Sequence, residues 1–345
     1  MSCKARDGDL VNDLDVHPAL ELVFASDAPE FTDVATAHRG RILGVFAYSA
    51  REPELPSSEA PSAWVSLPVC GADVCYETWI SSEPVRVKRD AGVHLAVAGD
   101  LLFGSMVLED PADDRLEARV YSLYSHLFDR LDREGFPHLL RVWNYFSRIN
   151  DDASGIERYR AFNVGRHEAF CDKDRTIAEG VVPAACALGS RQGDMVVGFL
   201  AGRAPGVVIE NPRQTNAYRY PREFGPRSPT FSRGILIGDM LLISGTASIV
   251  GSRTMHPNEI ALQLDETLRN LETTVSQARH KGFRPGDRTG LCLNVYLRHA
   301  ADYPIVRSRL DGVFGDAGHI AYIVADLCRA DLLVEIEAFW LPVRT

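Results

Sequence analysis

The chain has 345 residues, 46% of them hydrophobic and 24% charged, a balance that excludes disordered, collagen-like and coiled-coil classes. At roughly 150 residues per domain, this length suggests about two domains and a core that needs no staples. Lys plus Arg is 37 against 47 for Asp plus Glu, a formal net charge of −10 that should repel a phosphate backbone, so nucleic acid is not an expected partner.

The first residues, MSCKARDGDLVNDLDVHP, place no apolar stretch behind their Lys and Arg, and no later run approaches the ~20 apolar residues of a membrane span. A cytoplasmic protein without a membrane partner is expected. Residues 1–62 read as an N-terminal segment and linker, closed by the Pro-, Ser- and Glu-rich loop REPELPSSEAPS from Arg51 to Ser62. An N-terminal domain over 63–210 follows. Within it VHLAVA, a Gly99–Asp100 turn and LLFGSMVL read as strand, hairpin and strand. Leu116, Val120, Leu123, Tyr124, Leu127, Phe128 and Leu131 then recur at helical spacing, with Asp113 or Asp114 as cap and Gly135 as stop. A strand at LLRVWNYF (139–146), a helix near 156–170 and strands in VVPAACALG and DMVVGFLAGR complete the half.

The same order returns over 211–345: GILI, a Gly238–Asp239 turn, MLLISGTASIV, a helix on Ile260, Leu264, Leu268, Leu271, Val275 and Ala278, and the strand LCLNVYL. Asp302 is placed to cap a helix carrying Val306, Leu310, Val313 and Phe314, before the strands IAYIVADL and LLVEIEAF. Each half thus reads β-β-α-β-α-β-β, a duplicated α+β chain. Seven cysteines (3, 70, 75, 171, 186, 292, 328) lack framework spacing and read as reduced thiols. Neither the Cys70/Cys75 pair nor His17, His126, His167, His299 and His319 have metal-ligand spacing, and no phosphate-binding glycine loop occurs. No metal and no cofactor are expected.

From about Gly225 to Val343, the strings GPRSP, GDMLLISG, LRNLETTV, LNVYL and LLVEIEA resemble the Rid (YjgF) family. Imine deaminases of that family hold a substrate carboxylate with an arginine on the penultimate strand, where this chain has Ile320. The strings RVWNYFSRIN (141–150), ERYRAFNVGR (157–166), NAYRYPREFGPRSPTFSR (216–233), ISGTASIVG (243–251) and ADLCRADLLVEIEA (325–338) together resemble the chorismatases, longer relatives with two Rid-like halves. The resemblance implies an α+β fold of two Rid/YjgF-like (chorismate-mutase-like) halves, each a mixed sheet with helices on one face. It also implies a cofactor-free enzyme that cleaves the enolpyruvyl ether of chorismate and releases pyruvate. In that family Cys328 matches the position where 3-hydroxybenzoate formers carry cysteine, so 3-hydroxybenzoate is the expected product. The alternatives are hydrolysis to a dihydroxycyclohexadienoate, 4-hydroxybenzoate formation, a Rid-type imine hydrolase and a non-catalytic small-metabolite binder.

Enol ether cleavage starts with a proton delivered to the methylene carbon, which calls for a carboxylic acid kept protonated near neutral pH. Glu335 and Glu337 lie two apart on the strand LLVEIEA, share one face and raise each other's proton affinity, while Val334 and Ile336 face the helices. Glu335 is the candidate acid, with Glu337 and Cys328 as further catalytic candidates. A dianionic substrate calls for arginine forks, with Arg158, Arg166, Arg227 and Arg233 inside the matched strings. Asn144, Tyr145, Tyr159, Tyr218 and Tyr220 are candidate donors to the ring hydroxyl and ether oxygen, and Gly245, Thr246 and Ala247 leave room for a flat ring. The site is expected in the cleft between the halves. One chain can supply both walls of that cleft, so a monomer is plausible.

Overall fold

The computed structural model describes residues 18–53, 60–90, 93–109, 115–153, 155–178, 180–284, 290–315 and 318–341. It opens with β1 (Leu20–Ala25), α1 (Ala28–Ala37), β2 (Ile42–Ser49), β3 (Ser62–Ser66) and β4 (Val74–Ser81). Next come β5 (Arg86–Asp90), β6 (Val93–Ala98), β7 (Leu101–Leu108), α2 (Leu116–Glu134), β8 (His138–Ser147), β9 (Asp152–Ala153), β10 (Ile156–Glu157), α3 (Arg158–Asp172), β11 (Ala184–Ser190) and β12 (Met195–Gly202). The last third holds β13 (Val207–Ile209), β14 (Gly234–Ile237), β15 (Met240–Ala247), β16 (Ile249–Val250), β17 (Arg253–Thr254), α4 (Ile260–His280), β18 (Leu291–Leu297), α5 (Tyr303–Phe314), β19 (Gly318–Val324), β20 (Asp326–Leu327) and β21 (Val334–Trp340).

The duplication is visible in the strand order. The middle sheet runs β5-β6-β7-β12-β8-β11-β20 and the C-terminal sheet β13-β14-β15-β21-β18-β19, and the order β6-β7-β12-β8-β11 matches β14-β15-β21-β18-β19, each with one parallel pair, β8 with β11 and β18 with β19. Both opening hairpins turn on a Gly-Asp pair, and Gly99 and Gly238 take φ of 53° and 58°, a left-handed conformation in which a side chain is disfavoured. Strand β20, from the C-terminal half, pairs antiparallel with β11 and ties the two sheets together.

A third sheet is a finding beyond the sequence reading. β1-β4-β2-β3, with β2 and β3 parallel, repeats the order β7-β12-β8-β11 without the leading hairpin strand or the second helix. Strand β2 lies before the expected boundary at 62/63, β3 begins at Ser62 and runs across it, and the two strands pair with each other. In the segment read as an exposed linker, Ala60 is buried and Ser62 opens a strand, whereas 54–59 lie outside the described residues.

The helices cover outer faces. The α2 stripe from Leu116 to Leu131 is buried on the middle sheet, each large apolar side chain contributing about 1.5–3 kcal/mol. Val334, Ile336 and Ala338 of β21 face α4 and α5, while Phe339 joins a central cluster to which all three sheets contribute. Two expected caps differ. Asp302 precedes α5 but its side chain makes no capping bond, and Asp113 and Asp114, like His17, lie outside the described residues. Among the described residues, no helix is long and apolar enough to cross a membrane.

Candidate active site

Strand β21 delivers Glu335 to the cleft between the middle and C-terminal halves, as its period-2 alternation requires. Its neighbour β15 pairs with β21 through Ile243, then shifts register and resumes at Thr246, with Ala247 opposite Glu335. The skipped residues leave a notch at Gly245, where an added Cβ would stand 1.9 Å from Glu335 Oε1. Ser244 holds the bulge in place, donating to Ser232 O at 2.6 Å and accepting from Ala185 N at 2.9 Å. The glycine therefore makes room for the carboxyl of Glu335, and it also lines the cavity, where the sequence reading expected space for a flat ring.

Glu335 is 3% exposed and lines a cavity of about 440 Å³, a volume suited to a small metabolite. Burial first, then the Glu337 charge, pushes its carboxyl up to about 8 against the pull of Arg141 and Arg233, so it is a protonated acid at neutral pH. Cys328 Sγ lies 4.0 Å from Glu335 Oε2, and burial and Glu335 push that thiol up to about 12, leaving it a neutral S–H. The loop carrying Cys328 is fastened by Arg298, which donates to Leu332 O at 2.7 Å, Arg329 O at 2.8 Å and Asp326 Oδ1 at 2.8 Å.

The walls come from both halves. Glu157, Tyr159 and Arg160 at the start of α3 face Arg233, Arg253 and Arg329, with Tyr220, Phe224 and Phe231 between them. Arg329 lies over the Phe224 ring at 4.6 Å, and Arg233 donates to Tyr220 Oη at 3.0 Å. Four guanidiniums against the carboxylates of Glu157 and Asp331 leave two positive charges in the lining, which suits a dianion. Burial raises the Tyr159 phenol, so it stays a neutral donor.

The structure brings Glu335, Cys328, Tyr159, Tyr220, Arg233, Gly245 and Ala247 together in the lining, and leaves other candidates elsewhere. Glu337 is fully buried behind the cavity, ion-paired with Arg141. Asn144 is structural, accepting from Tyr124 Oη at 2.6 Å and donating to Cys186 O at 2.8 Å. Tyr145 Oη meets the hydroxyls of Tyr48 and Tyr296 in the core. Arg158 binds Ser147 O, and Arg166 binds Asn163 and stacks on Phe162. Tyr218 accepts from Asn216, Thr246 bonds to Ser244 O, and Arg227 is exposed outside the lining. These placements share one cause: successive strand positions face opposite ways, successive helix positions point about 100° apart, and the matched strings do not say which way is inward. Arg160, Arg253 and Arg329 were missed for the same reason, although Arg160 and Arg329 lie inside the strings. Ile320 lies on β19, away from this cavity, and no group of three metal-ligating side chains occurs among the described residues.

Residues 77–201 match the family model described as chorismatase FkbO/Hyg5-like, N-terminal. A Streptomyces hygroscopicus protein named 3-hydroxybenzoate synthase is 34% identical over 313 residues, covering 86% of this chain and 90% of that protein. A chorismatase from Streptomyces rapamycinicus is 37% identical over 275 residues, covering 76% and 80%. A crystal structure of a chorismatase superposes with a TM-score of 0.83 at 29% identity, covering 94% of this chain and 99% of that one. The chain belongs to the chorismatase family.

Proposed function

We propose that this chain cleaves the enolpyruvyl ether of chorismate, releasing pyruvate and forming 3-hydroxybenzoate, with Glu335 as the acid. The observation that carries this reading is a buried carboxyl, held in a notch at Gly245 and facing a cavity with four arginines, where burial pushes it up to about 8. Arg233, Arg253 and Arg329, with Arg160 opposite, bind the two substrate carboxylates through forked, charge-assisted hydrogen bonds. Glu335 gives its proton to the methylene carbon, a general-acid step worth roughly 10²- to 10⁴-fold. The bond between the ring carbon and the ether oxygen of the resulting oxocarbenium ion then breaks, pyruvate leaves with the electron pair, the neighbouring ring hydroxyl oxygen bonds to that carbon and returns its proton to the Glu335 carboxylate, and the ring isomerises to the aromatic product. If water attacks instead, the product is the dihydroxycyclohexadienoate. Cys328, beside the acid and rising only slightly polar from the wall, bears on which of these occurs at the ring.

Incubating the purified chain with chorismate tests this. Pyruvate and 3-hydroxybenzoate in equal amounts support the reading; pyruvate with the dihydroxy acid reassigns the product; no pyruvate overturns it.

A further inference from the structure

Four glutamates are buried among the described residues: Glu335 is the acid, Glu266 is paired with Arg213, and Glu77 and Glu337 mark the ends of a hydrogen-bond chain. Tyr48 on β2, Tyr145 on β8 and Tyr296 on β18 reach inward from the three sheets. Tyr48 Oη lies 2.9 Å from Glu77 Oε2 and 2.8 Å from Tyr145 Oη. Tyr145 Oη is 3.4 Å from Tyr296 Oη, which is 3.1 Å from Glu337 Oε2. All five residues are 0% exposed. The chain therefore has four links between two carboxyl groups, and each link needs one proton. Three tyrosines supply three. With both carboxyls ionised, one link would set lone pair against lone pair in the core, an unsatisfied contact of the kind folded proteins avoid. One added proton satisfies all four.

Charge decides where that proton rests. Glu337 has the Arg141 guanidinium on Oε1, whereas Glu77 has neutral donors, Trp79 Nε1 at 2.7 Å and Asn294 Nδ2 at 2.7 Å. We propose that the chain holds one proton beyond its three hydroxyl protons, resting on Glu77, and that it steps toward Glu337 as Glu335 gives its own proton to the substrate. Each step breaks one O–H bond and forms the next, from Glu77 to Tyr48, Tyr145, Tyr296 and Glu337, so no proton leaves the chain. Glu337 is neutralised as the Glu335 carboxylate appears, and two adjacent buried anions are avoided. Glu77 is thus a positioning residue, acting through the chain, and this role rests on Glu335 being the acid.

Burial, ahead of the Glu337 charge, pushes Glu77 up to about 7 despite the donors Asn294 and Trp79, which agrees with a retained proton. The groups facing Glu77 are Tyr48, Tyr145, Asn294, Cys292 and Glu337, with Cys75 and Trp79 on its own strand. Those facing Glu335 are Glu337, Arg141, Arg233, Cys328 and Cys186.

Infrared spectra of the resting protein near pH 6 test the stored proton without turnover. A carbonyl band of a buried protonated carboxyl should vanish in Glu77→Gln and persist in Glu335→Gln; a spectrum unchanged by Glu77→Gln overturns the proposal. Cutting the chain with Tyr48→Phe, or with Tyr296→Phe as the second cut, should lower kcat for pyruvate release about tenfold, equivalent to one pKa unit, at unchanged KM. The alkaline limb of kcat should move upward, because Glu335 then parts with its proton beside an anion. A purely structural role would lower the melting temperature and leave the limb in place, and that result overturns the coupling. Near-normal turnover in Glu335→Gln refutes the acid itself, while the Glu77 band still reports on the stored proton.

Discussion

Replacing Gly245 with alanine places a methyl group where the acid now lies. The new Cβ would stand 1.9 Å from Glu335 Oε1 and 2.8 Å from its Cδ, against about 3.4 Å for an ordinary contact, so the carboxyl must retreat by about 1.5 Å. The displaced atoms are the end of a side chain, and Gly245 is not in the left-handed region, so the backbone accepts the change. Reduced freedom of the unfolded chain offsets part of the strain by about 0.4–1 kcal/mol. Misplacing a reacting group by about 1 Å lowers rates by about 10²-fold, and kcat for pyruvate release from chorismate should fall by at least that amount. The paired assays are pyruvate release and thermal unfolding. A variant that melts like the parent and turns over at the parental rate would refute the claim that this notch positions the acid.

Arg141→Met should destabilise the protein by about 3–5 kcal/mol in denaturant titrations, because it leaves the buried Glu337 without its partner, and adding Glu337→Gln should restore much of the loss. The Glu335 carboxyl, pushed up to about 8, lends stability that is complete below the ordinary carboxyl range and is lost as pH rises toward 8. Unfolding free energies at pH 6 and pH 9 should therefore differ more in the parent than in Glu335→Gln. In the proposed mechanism the same proton is the one delivered to the substrate, so kcat/KM should fall about tenfold per unit above pH 8. Arg253 is exposed and lines the cavity, so Arg253→Ala should raise KM about tenfold or more while the melting temperature stays put, as loss of a charge-assisted hydrogen bond requires. Cys328→Ala should shift the product mixture from 3-hydroxybenzoate toward the dihydroxy acid, read by chromatography.

Periodicity made much of the fold legible. The α2 stripe, the two Gly-Asp hairpins and the alternation of β21 are local patterns, and each half's order of elements follows from them. The N-terminal sheet was not legible because its third and fourth strands find partners 17 or more positions back, across a segment whose composition reads as loop. Glu335 and Glu337 stood out in the sequence as two carboxylates on one face of an apolar strand, but the alternation does not tell which of them meets the cavity. The arginines were harder to place, since Arg158 and Arg160 are equally polar in sequence and only the turn at the start of α3 aims one at the cavity and buries the other. Arg141 and Glu77 escaped notice altogether: a buried charge is meaningful only beside its partner, and those partners lie 196 and 217 residues away.

Glu335→Gln keeps the shape of the side chain and removes its acidic proton, which makes single-turnover pyruvate release from chorismate the decisive comparison. A folded variant slower by roughly 10²- to 10⁴-fold is the expected result. A folded variant releasing pyruvate at the parental rate would show that the proton comes from elsewhere.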